Sequence, residues 1–497
     1  MGSAIKKGAV ISYVAIFLNI AITFFYTPWM IRKIGVSDYG LYSLVYSFIS
    51  YFILDFGLNQ AIQRFIAKYR AEGSVDKVEK MIGITTRVYL IIDIIIFAVL
   101  FVLYFFISNI FTGLTPEEIE RLKGLYIIAG IFSVLSFMFK PMTGAMMAFE
   151  YFVEERILEM IHRVGAVVGV CIALSLGADV FALILINGAF SLGTSIVKFI
   201  IFKQKSKLNI QWGYFNKVEL KGIFSFSMWT FGNGLTQRMR LSLIPSILGI
   251  LSNSSEIAIF AMGMSLEGMV YTLSSAVNGL FLPTVSRMVY NKKREEIMSL
   301  MVRVGRVQLY IIGLIFSGFL IFGQQFLHLW VGDEFANVYW VLLLLIVSYL
   351  VSLTQRIADD LIYVENKIKH ITIRLFIFSA LGLGVACLLT KQLGAIGCAI
   401  GTCVGLCAYQ FSINVFYKKN LHLDLALFFK ECHLKIMPLM VAVTAVAYFA
   451  VNRLMLDSWV KLIGCIAIYT MVFALLCYLI LFNKEEKGLI KIKKLKN

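Results

Sequence analysis

The stretch LTQRMRLSL, residues 235–243, sets two arginines, Arg238 and Arg240, inside a long apolar run. A guanidinium is a rigid fork of N–H donors that grips a phosphate or carboxylate through two parallel hydrogen bonds. At the centre of a bilayer an arginine costs ~2.5–3.5 kcal/mol, so two of them point either to an anion site or to buried acidic partners. At about 100° per residue the two positions lie about 200° apart on a regular helix. Arg238 shares its face with Ser227, Thr230, Gly234, Gln237 and Ser242, and Arg240 shares the other with Trp229, Asn233 and Thr236. Gly232, Gly234 and Pro245 offer places for the helix to break and bring both side chains to one side. The alternative is that each arginine pairs with Asp55, Asp93 or Glu267 to fix helix packing.

Other polar residues recur at helical spacing. Ser43, Ser47, Tyr51, Asp55, Asn59 and Gln63 follow one another at intervals of four, and Glu267, Tyr271, Ser274 and Asn278 form a second series. Residues four apart stack on one helix face, and such a face turns toward other helices or water rather than lipid. Interhelical hydrogen bonding accounts for a lone serine; a stripe with an acid suits a water-filled cavity. Lys140, beside Pro141, adds a cation at mid-span. Arg238, Arg240, Lys140, Asn59, Asn278 and Arg32 are therefore the candidate substrate-binding residues. Asp55, Asp93 and Glu267 are the candidates for coupling to a proton or sodium gradient. Arg163 and Arg356, near cytoplasmic helix ends, are the candidate gate, with Arg356 and Asp360 spaced as an i,i+4 ion pair.

The elements that must hold these residues are transmembrane helices. Of the 497 residues 60% are hydrophobic, with only six prolines, and mean hydropathy is +0.84. About fourteen runs of some 20 residues are long enough to cross ~30 Å of hydrocarbon: 9–31, 41–63, 83–107, 124–147, 153–176, 179–202, 222–250, 257–282, 301–322, 338–361, 369–390, 394–416, 435–455 and 459–482. The first run is too long for a cleavable signal and lacks a small-residue cleavage site. The net charge of +17 is concentrated in alternate loops, for example Lys203, Lys205, Lys207, Lys217 and Lys221, as the positive-inside rule requires with both termini cytoplasmic. That pattern fits anionic lipid headgroups and argues against nucleic acid. The eight cysteines are scattered without a CxxC pair and read as small hydrophobes. There is no HExxH and no Gly-Lys dipeptide, hence no zinc-hydrolase or Walker A motif. No catalytic residues, metal site or cofactor are expected.

A shift of 219 residues lays LNQAIQRFIAKYR (58–70) on VNGLFLPTVSRMV (277–289), matching Asn59 with Asn278 and Lys68 with Arg287; it also matches Arg87 with Arg306. The expected architecture is all-α and integral to the membrane. It comprises two parallel six-helix bundles, 1–213 and 214–433, followed by two C-terminal helices and a basic tail, 434–497. Repeats of this kind are related by an axis along the membrane normal, with substrate held near the midplane.

The stretch KKGAVISYVAIFLNIAITFFYTPWMIRKIGVSDYGLYSL, followed by LDFGLNQAIQRFIAKY, resembles the Wzx-type oligosaccharide flippases of the multidrug/oligosaccharidyl-lipid/polysaccharide (MOP) exporter superfamily. Pro28, Arg32, Gly35, Tyr39, Gly40, Asp55, Gly57, Leu58 and Arg64 carry the likeness. The resemblance implies a MATE-like fold in the bacterial cytoplasmic membrane that moves an undecaprenyl-pyrophosphate-linked oligosaccharide to the outer leaflet for surface polysaccharide (lipopolysaccharide) assembly. Glycosyltransferases and a polymerase are then the implied partners. Members often carry an acid in the middle of the seventh helix, where this chain has Arg238 and Arg240. Competing readings are a cation-coupled multidrug exporter, which suits an acidic aromatic cavity, and a membrane glycan polymerase or ligase, which resembles its relatives in needing a large external loop. The charge pattern predicts that alkaline phosphatase fused after Ser206 is inactive and fused after Val331 is active; the reverse result would overturn the orientation.

Overall fold

The structure is a computed structural model that describes residues 20–53, 57–209, 211, 214, 216–274, 281–291, 293–454, 456–483 and 486–487. Within Lys217–Leu241 only the backbone is described at several positions. Among the described residues every regular element is helical. The first are α1 (20–34), α2 (Val36–Ser50), α3 (Leu58–Ala71), α4 (Val75–Ile110), α5 (Pro116–Phe137), α6 (Pro141–Ala148), α7 (Phe152–Ser175), α8 (Val180–Ser206), α9 (Lys217–Leu241) and α10 (Leu243–Leu251). Then come α11 (Ser254–Ser274), α12 (Leu282–Tyr290), α13 (Arg294–Trp330), α14 (Val338–Ile346), α15 (Tyr349–Ser352), α16 (Arg356–Val364), α17 (Ile368–Asn420), α18 (Leu425–Phe429), α19 (Lys435–Val451) and α20 (Trp459–Leu476).

Ten spans among the described residues are long and apolar enough to cross a membrane. One of them, α17, holds two of the expected spans, because its helical geometry breaks at Gly394 (φ 54°). The expected spans 9–31, 41–63 and 222–250 each include residues outside those fully described. Large apolar side chains stand exposed along the outer faces, including Phe97, Phe101 and Phe105 of α4, as a lipid-facing surface requires.

The described helices form two compact units. The first runs through Ala261 and includes Cys387–Cys398; the second comprises Met262–Ala386 and the residues from Ala399 onward. The packing boundary therefore falls near residue 261, whereas the repeat puts its boundary at 213/214. In the first unit α5 packs on α8, α2 and α4, α7 on α8, α3 on α6 and α4, α9 on α3, and α10 on α2. Start signals are local: α5 opens with Pro116 after a capping box in which Thr115 accepts from the Glu118 amide and Glu118 from the Thr115 amide, the reciprocal arrangement that satisfies two orphan donors. Glycine sets one close approach. A Cβ on Gly40 would lie 2.0 Å from the Ser254 carbonyl oxygen, so only a residue without a side chain lets α2 pass the start of α11.

In the second unit α13 is the central strut, packing on α14, α16, α19 and α20. Ile321 and Phe322 of α13 join Met440, Tyr469 and Phe473 in one core, and Tyr469 Oη donates to Ser317 Oγ at 2.7 Å. The described helices of 434–497 thus pack within this unit. Arg306, 6% exposed, locks them in place. Its Nε and Nη2 donate to Glu486 at 2.6 and 3.0 Å, and it also reaches the Glu431 and Leu481 carbonyls at 2.9 and 2.8 Å. Both carbonyls belong to short π-helical turns, Lys430–Leu434 and Cys477–Leu481, where the regular ladder is disturbed.

Arg306→Met is expected to destabilise the protein by ~3–5 kcal/mol, because it strands the Glu486 carboxylate. Glu486→Leu should cost a similar amount, and the double variant less than the sum. Unfolding of the purified protein in detergent measures the coupling; strict additivity would show that the pair contributes nothing.

Candidate functional site

The residues around LTQRMRLSL lie where three spanning helices are interrupted within the first unit. The helix that carries the arginines runs unbroken through Gly232 and Gly234 to Leu241, and it restarts at Leu243. The break expected at the glycines falls instead at Ser242. Proline explains the position: Pro245 has no N–H to give the Leu241 carbonyl four residues back, and its ring crowds that carbonyl. The second interruption lies between α2 and α3, where α3 starts after Gly57 (φ 71°); the four-residue polar series from Ser43 to Gln63 is therefore not one continuous stripe. The third is the turn 138–140, which ends α5 before Pro141 opens α6.

Side chains tie these interruptions together. Tyr51 Oη donates to the Ser242 carbonyl and lies 3.0 Å from Ser246 Oγ, and Ser50 Oγ donates to Ser242 Oγ at 3.2 Å. Lys140 Nζ donates to the Ile53 carbonyl at 3.2 Å and sits 5.0 Å from the Phe137 ring centroid. Asn59 Oδ1 accepts the Gly144 amide at 3.2 Å, and Ser227 Oγ of α9 meets the Gly57 carbonyl at 3.4 Å. Asn59, Lys140 and the arginine helix are thus brought into one region. Asn59 and Lys140 each serve a helix end there, a packing role beside any role toward a ligand. Arg238 and Arg240 lie in α9, but their side chains are outside the description, and Asp55 and Asn278 lie outside the described residues.

The remaining candidates lie elsewhere. Arg32 is exposed near the end of α1. Asp93 is buried in α4, and its Oδ1 has no hydrogen-bond partner among the described residues. Glu267 is buried in the second unit and accepts from Tyr349 Oη, with the Tyr349 and Tyr271 rings 5.8 Å apart. Arg356 pairs at 3.4 Å with Asp359, three residues on, rather than with Asp360. Asp359 also accepts from Tyr417 Oη at 2.6 Å, and this extra donor from α17 fixes the choice of partner. Arg163 is exposed on α7, where the neighbouring acids find partners on α8: Glu155 pairs with Lys198 at 2.7 Å and Glu154 with Lys205. The periodicity of α7 alone could not reveal those lysines as partners. No group of three potential metal ligands occurs among the described residues.

The sequence matches the polysaccharide biosynthesis protein family over residues 5–290, more than half the chain. The chain belongs to this family. Comparison with curated protein sequences finds no match. Among solved structures it is similar to the lipid II flippase MurJ in an inward closed conformation, with a TM-score of 0.73, 13% identity, and coverage of 95% of this chain and 98% of that one. An inward-facing multidrug resistance MATE family transporter of the MOP superfamily gives 0.64 at 12% identity, over 82% and 99%. A MOP superfamily transporter from Pyrococcus furiosus gives 0.54 at 14%, over 83% and 94%. At such identities the likeness concerns the fold: this polysaccharide biosynthesis family member has the MOP fold and is a multi-pass membrane protein.

Asn59→Leu is expected to destabilise the protein by ~0.5–1.5 kcal/mol, the net worth of one hydrogen bond, here the one that Asn59 adds to the Gly144 amide, while Asn59→Asp, which keeps the acceptor, costs less. Thermal unfolding in detergent reads the difference. An unchanged midpoint for Asn59→Leu would remove the packing role.

Proposed function

We propose that this protein is a flippase that moves an undecaprenyl-pyrophosphate-linked oligosaccharide from the cytoplasmic to the outer leaflet of the bacterial cytoplasmic membrane by alternating access. The observation that carries this reading is the polysaccharide biosynthesis family match over residues 5–290, on a chain with the fold of the lipid II flippase. Its N-terminal likeness to Wzx-type flippases agrees with it. Arg238 and Arg240 are the groups assigned to the pyrophosphate. Anions gain more from paired guanidinium hydrogen bonds than from a point charge, and a substrate with two phosphoryl groups offers acceptors for both. Lys140 adds positive charge from the adjoining helix break. The protein acts as a carrier and breaks no covalent bond. In the absence of a Walker A motif, an ion gradient supplies the driving force through Asp55, Asp93 or Glu267. Surface-glycan assembly then places glycosyltransferases upstream and a polymerase downstream.

The second reading, a cation-coupled drug exporter, is favoured by the MATE likeness and the buried Asp93 and Glu267. A single set of measurements separates the two. Surface glycan is scored in cells carrying each variant, normalised to membrane protein level, alongside drug accumulation. Arg238→Ala is expected to abolish glycan export, Arg238→Lys to restore part of it, and Arg240→Ala to be milder. In vesicles with an imposed gradient, neutralising at least one of Asp55, Asp93 and Glu267 should remove gradient dependence. Full export by Arg238→Ala would make this arginine structural, and drug efflux without glycan export would favour the second reading.

A further inference from the structure

A cavity of about 380 Å³ opens at the far end of α13, lined by Gln324, Gln325, His328, Asp333, Asn337 and Trp340 among others. It lies wholly within the second unit. Its place along the membrane normal follows from helix length. Lys293, Arg294, Arg303 and Arg306 lie at or near the start of α13, and Gln324 to His328 lie about 18 to 35 residues further on. At 1.5 Å per residue this is ~30–50 Å, enough to cross the hydrocarbon core. The cavity therefore stands on the side away from the basic segments, which the charge pattern makes the outer face.

The lining is specific in kind. Two glutamine amides and an asparagine amide each offer both donors and acceptors. His328 Nδ1 lies 2.5 Å from Asp333 Oδ1, so the carboxylate and the imidazole hold each other in place. Gln325 contributes to the lining, although its Oε1 is buried away from the open space. Trp340 lines the cavity, is 51% exposed overall and is held edge-on by Tyr339, ring centroids 5.0 Å apart. Among the described residues the lining contains no lysine or arginine, and the His328 imidazole is already engaged by Asp333, so a phosphate finds little to grip there. An aromatic plane beside several amides and a carboxylate suits a ligand with an apolar face of C–H groups and a rim of neutral hydroxyls.

We propose that this cavity is a saccharide site on the outer face, separate from the arginine region, that takes sugar units of the carried glycan. The proposal rests on the transport reading for which glycan is present, and it deepens that reading by giving the headgroup a second holding point. Some interfacial tryptophans serve only as membrane anchors; Trp459, partly exposed and packed against Phe326, fits that role. Trp340 is distinguished by the polar cavity at its side.

The test uses the full chain purified in detergent, with di-N-acetylchitobiose, lactose and maltotriose as probes and inorganic phosphate as the charged control. Saturation-transfer NMR reads the bound sugar. At least one sugar should bind saturably, with affinity reduced about tenfold by Trp340→Ala and by Gln325→Leu and largely kept by Trp340→Phe. Asn337→Leu, at an exposed position, should also weaken binding and guards against a folding defect in the others. Absence of sugar binding, binding unaltered in Trp340→Ala and Asn337→Leu, or displacement by phosphate would overturn the site. Flipping of the lipid-linked glycan is measured on the same variants. A slowed rate assigns the site to the lipid-linked headgroup, and an unchanged rate with lost binding assigns it to free saccharide; both support the site. A chain that flips glycan without Trp340-dependent binding refutes the cavity alone, whereas one that binds sugar and flips nothing refutes the transport reading alone.

Discussion

The backbone of a membrane-spanning helix has no water to fall back on, so every interruption must find its hydrogen bonds inside the protein. Much of this structure follows from that demand. Where the helices break, a polar side chain from a neighbouring element supplies the missing partner. Lys140 serves the Ile53 carbonyl, Tyr51 the Ser242 carbonyl, and Glu256 the Ala395 amide at 2.6 Å, just past the break at Gly394. In the second unit His433 Nε2 lies 3.0 Å from the Leu350 carbonyl, and Arg306 serves two π-helical turns at once. The breaks themselves are written in proline and glycine chemistry, but each break persists because a side chain from elsewhere answers it.

This gives the polar residues of the chain two different meanings. Some are committed to backbone repair and some to one another, as in Arg306–Glu486 and Lys198–Glu155. A buried ion pair adds little net stability, because desolvation offsets the attraction, yet losing one partner is costly. Such pairs therefore fix which helices sit together more than they strengthen the fold. The interruption that begins at 51–53, before α3, and those at 138–140 and 242 gather in one unit, beside the helix that bears Arg238 and Arg240. Broken helices expose backbone poles that regular helices hide, and transporters place substrates and ions at such points. The region thus has both the local polarity and the local freedom from helical regularity that carrying a charged headgroup requires.

The fold is shared by carriers with different cargoes, so it does not by itself name a substrate. Discrimination falls to side chains within the common frame. An anionic, bulky, hydroxyl-rich cargo asks for guanidinium groups at depth and neutral hydrogen-bonding groups with an aromatic plane at the surface. The sequence places arginines in α9, and the end of α13 supplies the second set of groups in the cavity beside Trp340.

The fold class was legible in the sequence because hydrophobic length and loop charge act through a uniform solvent, the bilayer, which needs no knowledge of neighbours. The break before Pro141 falls inside the expected span 124–147 and was not read there, although the proline chemistry behind it is local. The split of α17 near Gly394 agrees with spans read at 369–390 and 394–416. Partners were not legible. Arg356 chose Asp359 over Asp360 because Tyr417, some sixty residues on, donates to the same carboxylate, and Arg306 found Glu486 across 180 residues. The continuous polar stripe inferred for 43–63 failed because spacing assumes an unbroken helix, and the break depends on what answers its freed carbonyls. Periodicity is a property of one helix, whereas hydrogen-bond satisfaction in a membrane belongs to all the helices around it. The sequence by itself therefore determined the kind of fold, an all-helical multi-pass membrane protein; only the tertiary structure decided which of its charged side chains repair the backbone.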